Sequence, residues 1–196
     1  IDGDTRFGIT WHILEPGIDT GDIVEQRMFD ISEGETAFSL NSKCYAAGLD
    51  SFTAVISQLE TGAPGRTPQD LTQRSYHARD DRPRAAGRID FTHHTKDILA
   101  LVNALDTGAY WNPLTCPKIE IAGEVVLVGQ AAHALGHGAP GTVIEGTGDS
   151  LTIATGDGAV RLGDLRNAYG GAFDLSGKTQ VGQSLSSPDA GLATAL

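Results

Sequence analysis

Gly8-Ile9-Thr10-Trp11-His12-Ile13-Leu14-Glu15-Pro16-Gly17-Ile18-Asp19-Thr20-Gly21-Asp22-Ile23-Val24 is the stretch on which the reading of this chain turns. Two apolar runs, Phe7 to Leu14 and Ile23 to Ile31, flank a loop that holds Pro16, two glycines and two aspartates. The pattern is strand, tight loop, strand. Gly17 and Gly21 let a flat ligand approach the main chain, and Asp19 presents a carboxylate at the loop tip, a candidate proton acceptor. The same residues also read as an ordinary hairpin turn in which Asp19 and Asp22 make Asx-type hydrogen bonds. Trp11 and His12 point to opposite faces of the strand, so one of them faces any pocket beside the loop.

Composition sets the frame. With 196 residues, 40% of them hydrophobic and 20% charged, the chain has material for one sizeable core or two small ones. A net charge of -11 argues against general affinity for nucleic acid or an anionic membrane, both of which need clustered positive charge. Cys44 and Cys116 lack CxxC spacing and read as reduced thiols in a cytoplasmic protein. No apolar run reaches the length of a membrane span, and no secretory signal is present. The chain enters a strand almost at once after Ile1, which reads as a piece of something longer.

Beyond the second strand, Ser32-Glu33-Gly34-Glu35 has the spacing of a capping box. A helix follows, with Phe52, Val55, Ile56 and Leu59 as its apolar stripe, a break or kink at Gly48, and an end at Gly62 and Pro64. Residues 1–65 thus form one domain. Residues 66–94 carry six arginines against few acids and read as a basic linker, facing either an anionic ligand or the acidic domains it joins. Residues 95–170 read as a second domain: a helix capped by Thr95, with Ile98, Leu101, Val102 and Leu105 at helical spacing, then five short strands. Their cores are Lys118–Ile121, Val125–Val128, Val143–Ile144, Leu151–Ala154 and Val160–Leu162, a small barrel. Residues 171–196 have the composition of a flexible tail or interdomain linker. His133 and His137 have a metal-like spacing, but Gly136 and Gly138 argue against the helix that would present them together.

The opening stretch resembles the active-site loop of the 10-formyltetrahydrofolate-dependent formyltransferases. Gly8-Ile9-Thr10, Gly17-Ile18-Asp19-Thr20-Gly21-Asp22 and Ile23-Val24 follow that family's pattern in order and spacing, and Pro68-Gln69, Ser75-Tyr76, Ile89-Asp90-Phe91, Pro140-Gly141-Thr142-Val143 and Ala154-Thr155-Gly156-Asp157-Gly158 resemble later segments of it. The resemblance runs from about Gly8 to about Gly170. It implies an α/β fold: the C-terminal half of a doubly wound, Rossmann-like formyltransferase domain followed by a small OB-like β-barrel.

The resemblance also implies function. The cosubstrate would be 10-formyltetrahydrofolate, its pterin held by the backbone of Glu15, Pro16, Gly17, Ile18 and Asp19. Asp19 would be the catalytic carboxylate, working with an Asn-x-His motif that does not occur in these 196 residues. His12 stands where a family member has a histidine directed toward the acceptor. From Thr92 to Gly170, four lysines and arginines face eight aspartates and glutamates, which argues against tRNA as partner and for a small or carrier-protein-bound amine. A linker-like tail fits a formylation domain within a larger biosynthetic synthetase, such as one making nonribosomal peptides, with further domains in the same polypeptide. Two rival readings stay open: a 10-formyltetrahydrofolate hydrolase, and a non-catalytic docking remnant.

Overall fold

A computed structural model describes residues 1, 3–78 and 80–188. Internal contacts divide the chain into two units, Asp2–Arg79 and Asp80–Leu196, so the boundary falls inside the segment expected to be one continuous linker.

In the first unit, β1 (Arg6–His12) and β2 (Ile23–Asp30) pair antiparallel, with Phe7 opposite Phe29 and Thr10 opposite Gln26 and an irregularity between Trp11 and His12. Most neighbouring strands of a doubly wound sheet run parallel; an antiparallel pair such as this one occurs in such sheets at an edge. The helix α1 (Ala37–Glu60) packs on the hairpin. Its start differs from expectation. Thr36 is the cap: its side chain accepts from Ser39 N at 3.1 Å while Ser39 Oγ accepts from Thr36 N at 3.0 Å. Glu35 still accepts from Ser32 N at 3.2 Å, as the spacing predicts, and is also bound by Lys43, whose ammonium, with Ser39, holds the carboxyl down at about 2. Nor does Gly48 break the helix, which runs through it without interruption. Burial pushes the Cys44 thiol up, consistent with a packing role.

The expected apolar stripe of α1 is only partly used. Val55 is buried, whereas Phe52, Ile56 and Leu59 stay largely exposed, as do Tyr45 and Leu49. Two strands present too little surface to cover a helix of 24 residues. Among the described residues of this unit, the buried ones are Gly21, Ser51 and Val55.

The second unit has its own core. A left-handed turn at Ala85, Ala86 and Gly87 leads into a segment whose Ile89 and Phe91 are completely buried. Next come α2 (Thr95–Ala104), β3 (Lys118–Ile121), β4 (Glu124–Ala134), β5 (Val143–Thr147), β6 (Ser150–Ala154) and β7 (Ala159–Asn167), the five strands forming one antiparallel sheet in the order β3-β4-β7-β6-β5. The five strands predicted from sequence are these five. Ile98 and Val102 of α2 join Val126, Val128, Leu151, Ile153, Val160 and Leu162 in a single cluster. Every residue of β6 is buried, so the sheet curls until both faces of that strand are covered.

Residues 171–188 are not a free tail. Gly182 N donates to Val143 O, Val143 N to Gln183 O and Leu185 N to Gly141 O, all at 2.8–2.9 Å, which seats the segment along the edge strand β5. Ser186 Oγ accepts from Arg88 and Ser187 Oγ from Phe91 N. Ile89 N in turn donates to Lys118 O of β3, the other edge. The segment therefore bridges the two open edges of the sheet and covers groups that would otherwise invite a second chain. Gly141 is required here: it has φ +88, and a Cβ would stand 2.6 Å from Leu185 O.

Thr95 is the first residue of α2 rather than its cap; Asp157, brought in from the loop after β6, accepts from Thr95 N at 2.7 Å. That bond holds the Asp157 carboxyl below the usual carboxylate range. A carboxyl whose folded pKa is depressed stabilises where it is ionised and loses that contribution as pH falls through its titration. Asp157→Ala therefore lowers the melting temperature at pH 7, and thermal scans repeated toward pH 3 show the gap to the parent chain closing.

Candidate functional site

The loop between β1 and β2 is tied at its base and clamped from the side. Ile13 N donates to Asp22 O at 2.9 Å, and Gly21 passes so close that a Cβ on it would sit 1.9 Å from Ile13 O, which no side chain allows. Gly17 is similarly tight against the Thr20 side chain. Gln69 reaches in from the following segment, its Nε2 donating to Asp19 O at 3.1 Å and to Gly21 O at 2.5 Å, while Ile23 and Thr67 exchange backbone bonds. With its carbonyls anchored, Asp19 is held at φ +53, a left-handed conformation that a non-glycine residue keeps only when its surroundings impose it.

The face question is resolved by the helix. Trp11 turns toward α1, donating from Nε1 to Ser51 Oγ at 2.9 Å and packing on Phe52 with ring centroids 5.7 Å apart. His12 takes the opposite side, toward the loop. Its Nδ1 lies 2.9 Å from Ile13 O, an acceptor only, so that nitrogen carries a hydrogen, and Nε2, 3.4 Å from Asp19 Oδ1, pairs with the carboxylate when it holds a proton as well. The histidine side chain is mostly covered, 24% exposed, and the carboxylate is open at 77%. A covered imidazole beside an open carboxylate can pass a proton between a substrate and the ring.

Asp19 and Ile18 border a cleft of about 670 Å³, walled on its far side by Gln69, Asp70, Arg74, Tyr76 and His77. The Arg74 guanidinium lies 5.5 Å from the centre of the Tyr76 ring. Asp70 is locked by Thr72, whose hydroxyl and amide both donate to it and keep its carboxyl below the usual range. Of the residues expected in the site, Asp19 and Ile18 line this cleft, His12 lies beside Asp19, and Glu15, Pro16 and Gly17 are exposed residues of the same loop. Two features were missed from sequence: the pairing of Asp19 with His12, and the clamp by Gln69. The second had a trace, since Pro68-Gln69 belongs to the resemblance, but nothing in its spacing says that it reaches back some fifty residues.

Residues 83–176 match the family described as formyl transferase, C-terminal domain. The chain is 32% identical over 170 residues to the methionyl-tRNA formyltransferase of Bradyrhizobium sp. (strain ORS 278), covering 85% of this chain and 51% of that relative. It is 34% identical over 172 residues to that of Sinorhizobium fredii (strain NBRC 101917 / NGR234), covering 86% and 52%. The chain belongs to the formyltransferase family. A match over 85% of its length takes in more than half of residues 1–82 as well, so the similarity reaches the first unit. The chain spans about half the length of the curated relatives it matches. Among solved structures, it resembles the N-formyltransferase of Helicobacter canadensis in complex with folinic acid and dTDP-3-aminofucose, with TM-score 0.66, 21% identity, and coverage of 83% of this chain and 56% of that one. HypX from Aquifex aeolicus in complex with tetrahydrofolic acid gives TM-score 0.62 at 21% identity, covering 85% and 28%. At such identities the likeness speaks to fold alone.

Proposed function

We propose that this chain is part of a cytoplasmic enzyme that transfers a formyl group from 10-formyltetrahydrofolate to a primary amine. The observation that carries the reading is the pairing of Asp19 with His12, at 3.4 Å on a glycine-bearing loop beside a cleft, in a chain of the formyltransferase family. The residues fit such a cosubstrate: Gly21 and Gly17 leave no side chain between the loop's two arms, and exposed Ile18 offers a flat apolar face to a pterin whose polar edge the backbone of Glu15 to Asp19 would bind. In the transfer, the amine nitrogen attacks the formyl carbon and sheds a proton toward Asp19, the bond from that carbon to the folate nitrogen breaks, and the departing nitrogen takes up a proton, so that the hydrogen lost by the amine ends on tetrahydrofolate. An Asn-x-His from another segment of the polypeptide would stabilise the oxyanion, with Asp19 orienting its imidazole.

The exposed face of α1 and the sparse interior of the first unit support a second part of the reading, that the hairpin and α1 complete a doubly wound sheet whose other strands lie outside these residues. The bridged edges of the second unit support an OB-like closure. For the acceptor, we favour a small amine or an amino acid held on a carrier protein, on the net acidity of the second unit. The relatives, named as methionyl-tRNA formyltransferases, do not support setting tRNA aside, so the test includes it. Full-length polypeptide incubated with 10-formyltetrahydrofolate and each acceptor class yields a formylated amine; formate release that ignores the amine would indicate hydrolysis instead.

A further inference from the structure

The second unit carries a cleft that the proposed reaction does not use. It has a volume of about 450 Å³ and lies between the C-terminal end of α2 and the strands β4 and β7. Its apolar wall comes from Val102, Leu105 and Leu127. One lining residue, Tyr110, is 72% exposed, and two more exposed rings adjoin lining residues in sequence: Trp111, after Tyr110, at 84%, and Tyr169, before Gly170, at 98%. Rings of this size left in solvent mark contact surfaces, and Trp and Tyr are the residues most enriched among those that dominate binding.

Charge selects the partner. Arg166 and Asp164 neutralise one another through two 2.8 Å bonds, Nε to Oδ1 and Nη2 to Oδ2. The pair is built in: Asp164 is held at φ +48, and a Cβ on Gly129 of the facing strand would lie 2.2 Å from its Oδ2. With that pair cancelled, the charge left among the residues lining the cleft is the Asp106 carboxylate, the carbonyls at the end of α2 being satisfied by Leu105 N, Asp106 N and Asn112 Nδ2. The chain as a whole, at -11, steers cations toward it. RNA, which stacks bases on exposed rings, needs the opposite field.

We propose that this cleft is a docking site for a basic, apolar segment of a partner protein: an aliphatic side chain enters between Val102, Leu105 and Leu127, while a neighbouring lysine or arginine lies over the exposed rings and pairs with Asp106. The site is independent of the formyl-transfer loop and stands or falls without it.

The test uses fluorescence polarisation of three labelled probes with the full chain: a five-residue peptide of alternating leucine and arginine, the same peptide with glutamate for arginine, and a single-stranded oligoribonucleotide. The basic peptide binds saturably, and more weakly as salt rises. The doubly substituted chain Trp111→Ala with Tyr169→Ala, whose side chains support no core, weakens it by about tenfold or more, as expected when central rings are removed; Asp106→Asn weakens it further. No binding of the basic peptide, equal binding of the acidic one, an unchanged affinity in the double variant, or tighter binding of the RNA overturns the proposal.

Discussion

Replacing Asp19 with Asn in the full-length polypeptide lowers formyl transfer by about a hundredfold or more, the range lost when a positioned proton-transfer group is removed. The loss falls on turnover and not on folding. Asn keeps the size of Asp and tolerates the left-handed backbone that Asp19 adopts at φ +53. The contacts that hold the loop, from Gln69 to the carbonyls of residues 19 and 21 and from Ile13 to Asp22, involve main-chain atoms and survive the change. What disappears is the negative charge 3.4 Å from His12 Nε2, and with it the acceptor for the amine's proton. A variant with an unchanged thermal transition and near-parent turnover would remove Asp19 from the mechanism.

Leu185→Ala produces a large stability loss in the second unit, about 2–5 kcal/mol, the usual cost of emptying a buried leucine site. Leu185 is 5% exposed, joins the main core cluster and belongs to the segment that bridges the sheet edges. Against a total of about 5–15 kcal/mol for a typical domain, that is a large share. For a unit somewhat above 100 residues each kcal/mol moves the melting temperature by about 4 °C, so a fall of roughly 8 °C or more is expected in calorimetry. Leu135→Ala serves as the control. That leucine is 97% exposed, and its loss leaves the transition where it was. Equal effects from the two substitutions would mean that residues 182–188 contribute nothing to the fold.

These two leucines show where a sequence stops being readable. Local periodicity was enough to find β3 to β7, because alternating apolar residues between glycine turns leave few other choices. Glycine and aspartate at fixed offsets were enough to single out the loop around Asp19, helped by the family pattern. Nothing local separates Leu185, in a serine-rich run, from Leu135, in a glycine- and histidine-rich one; the difference is made by β5, some forty residues away from Leu185. The cap of α1 failed for a related reason. Two overlapping Ser/Thr-x-x-polar signals stand at residues 32–39: Ser32 N bonds Glu35 one turn before the helix, and the helix itself is capped by Thr36 and Ser39. The pairing of His12 with Asp19 required knowing that Trp11 is claimed by Ser51 and Phe52, a tertiary fact.

The central claim is that Asp19 serves transfer to an amine. The most direct measurement follows formylated product and free formate together, in the full-length polypeptide given 10-formyltetrahydrofolate, with and without amino acid, carrier-bound aminoacyl and methionyl-tRNA acceptors. The account predicts formylated product from one acceptor class, little formate in its absence, and loss of both in Asp19→Asn. Formate released at the same rate with no amine present, or product formed undiminished by Asp19→Asn, contradicts it.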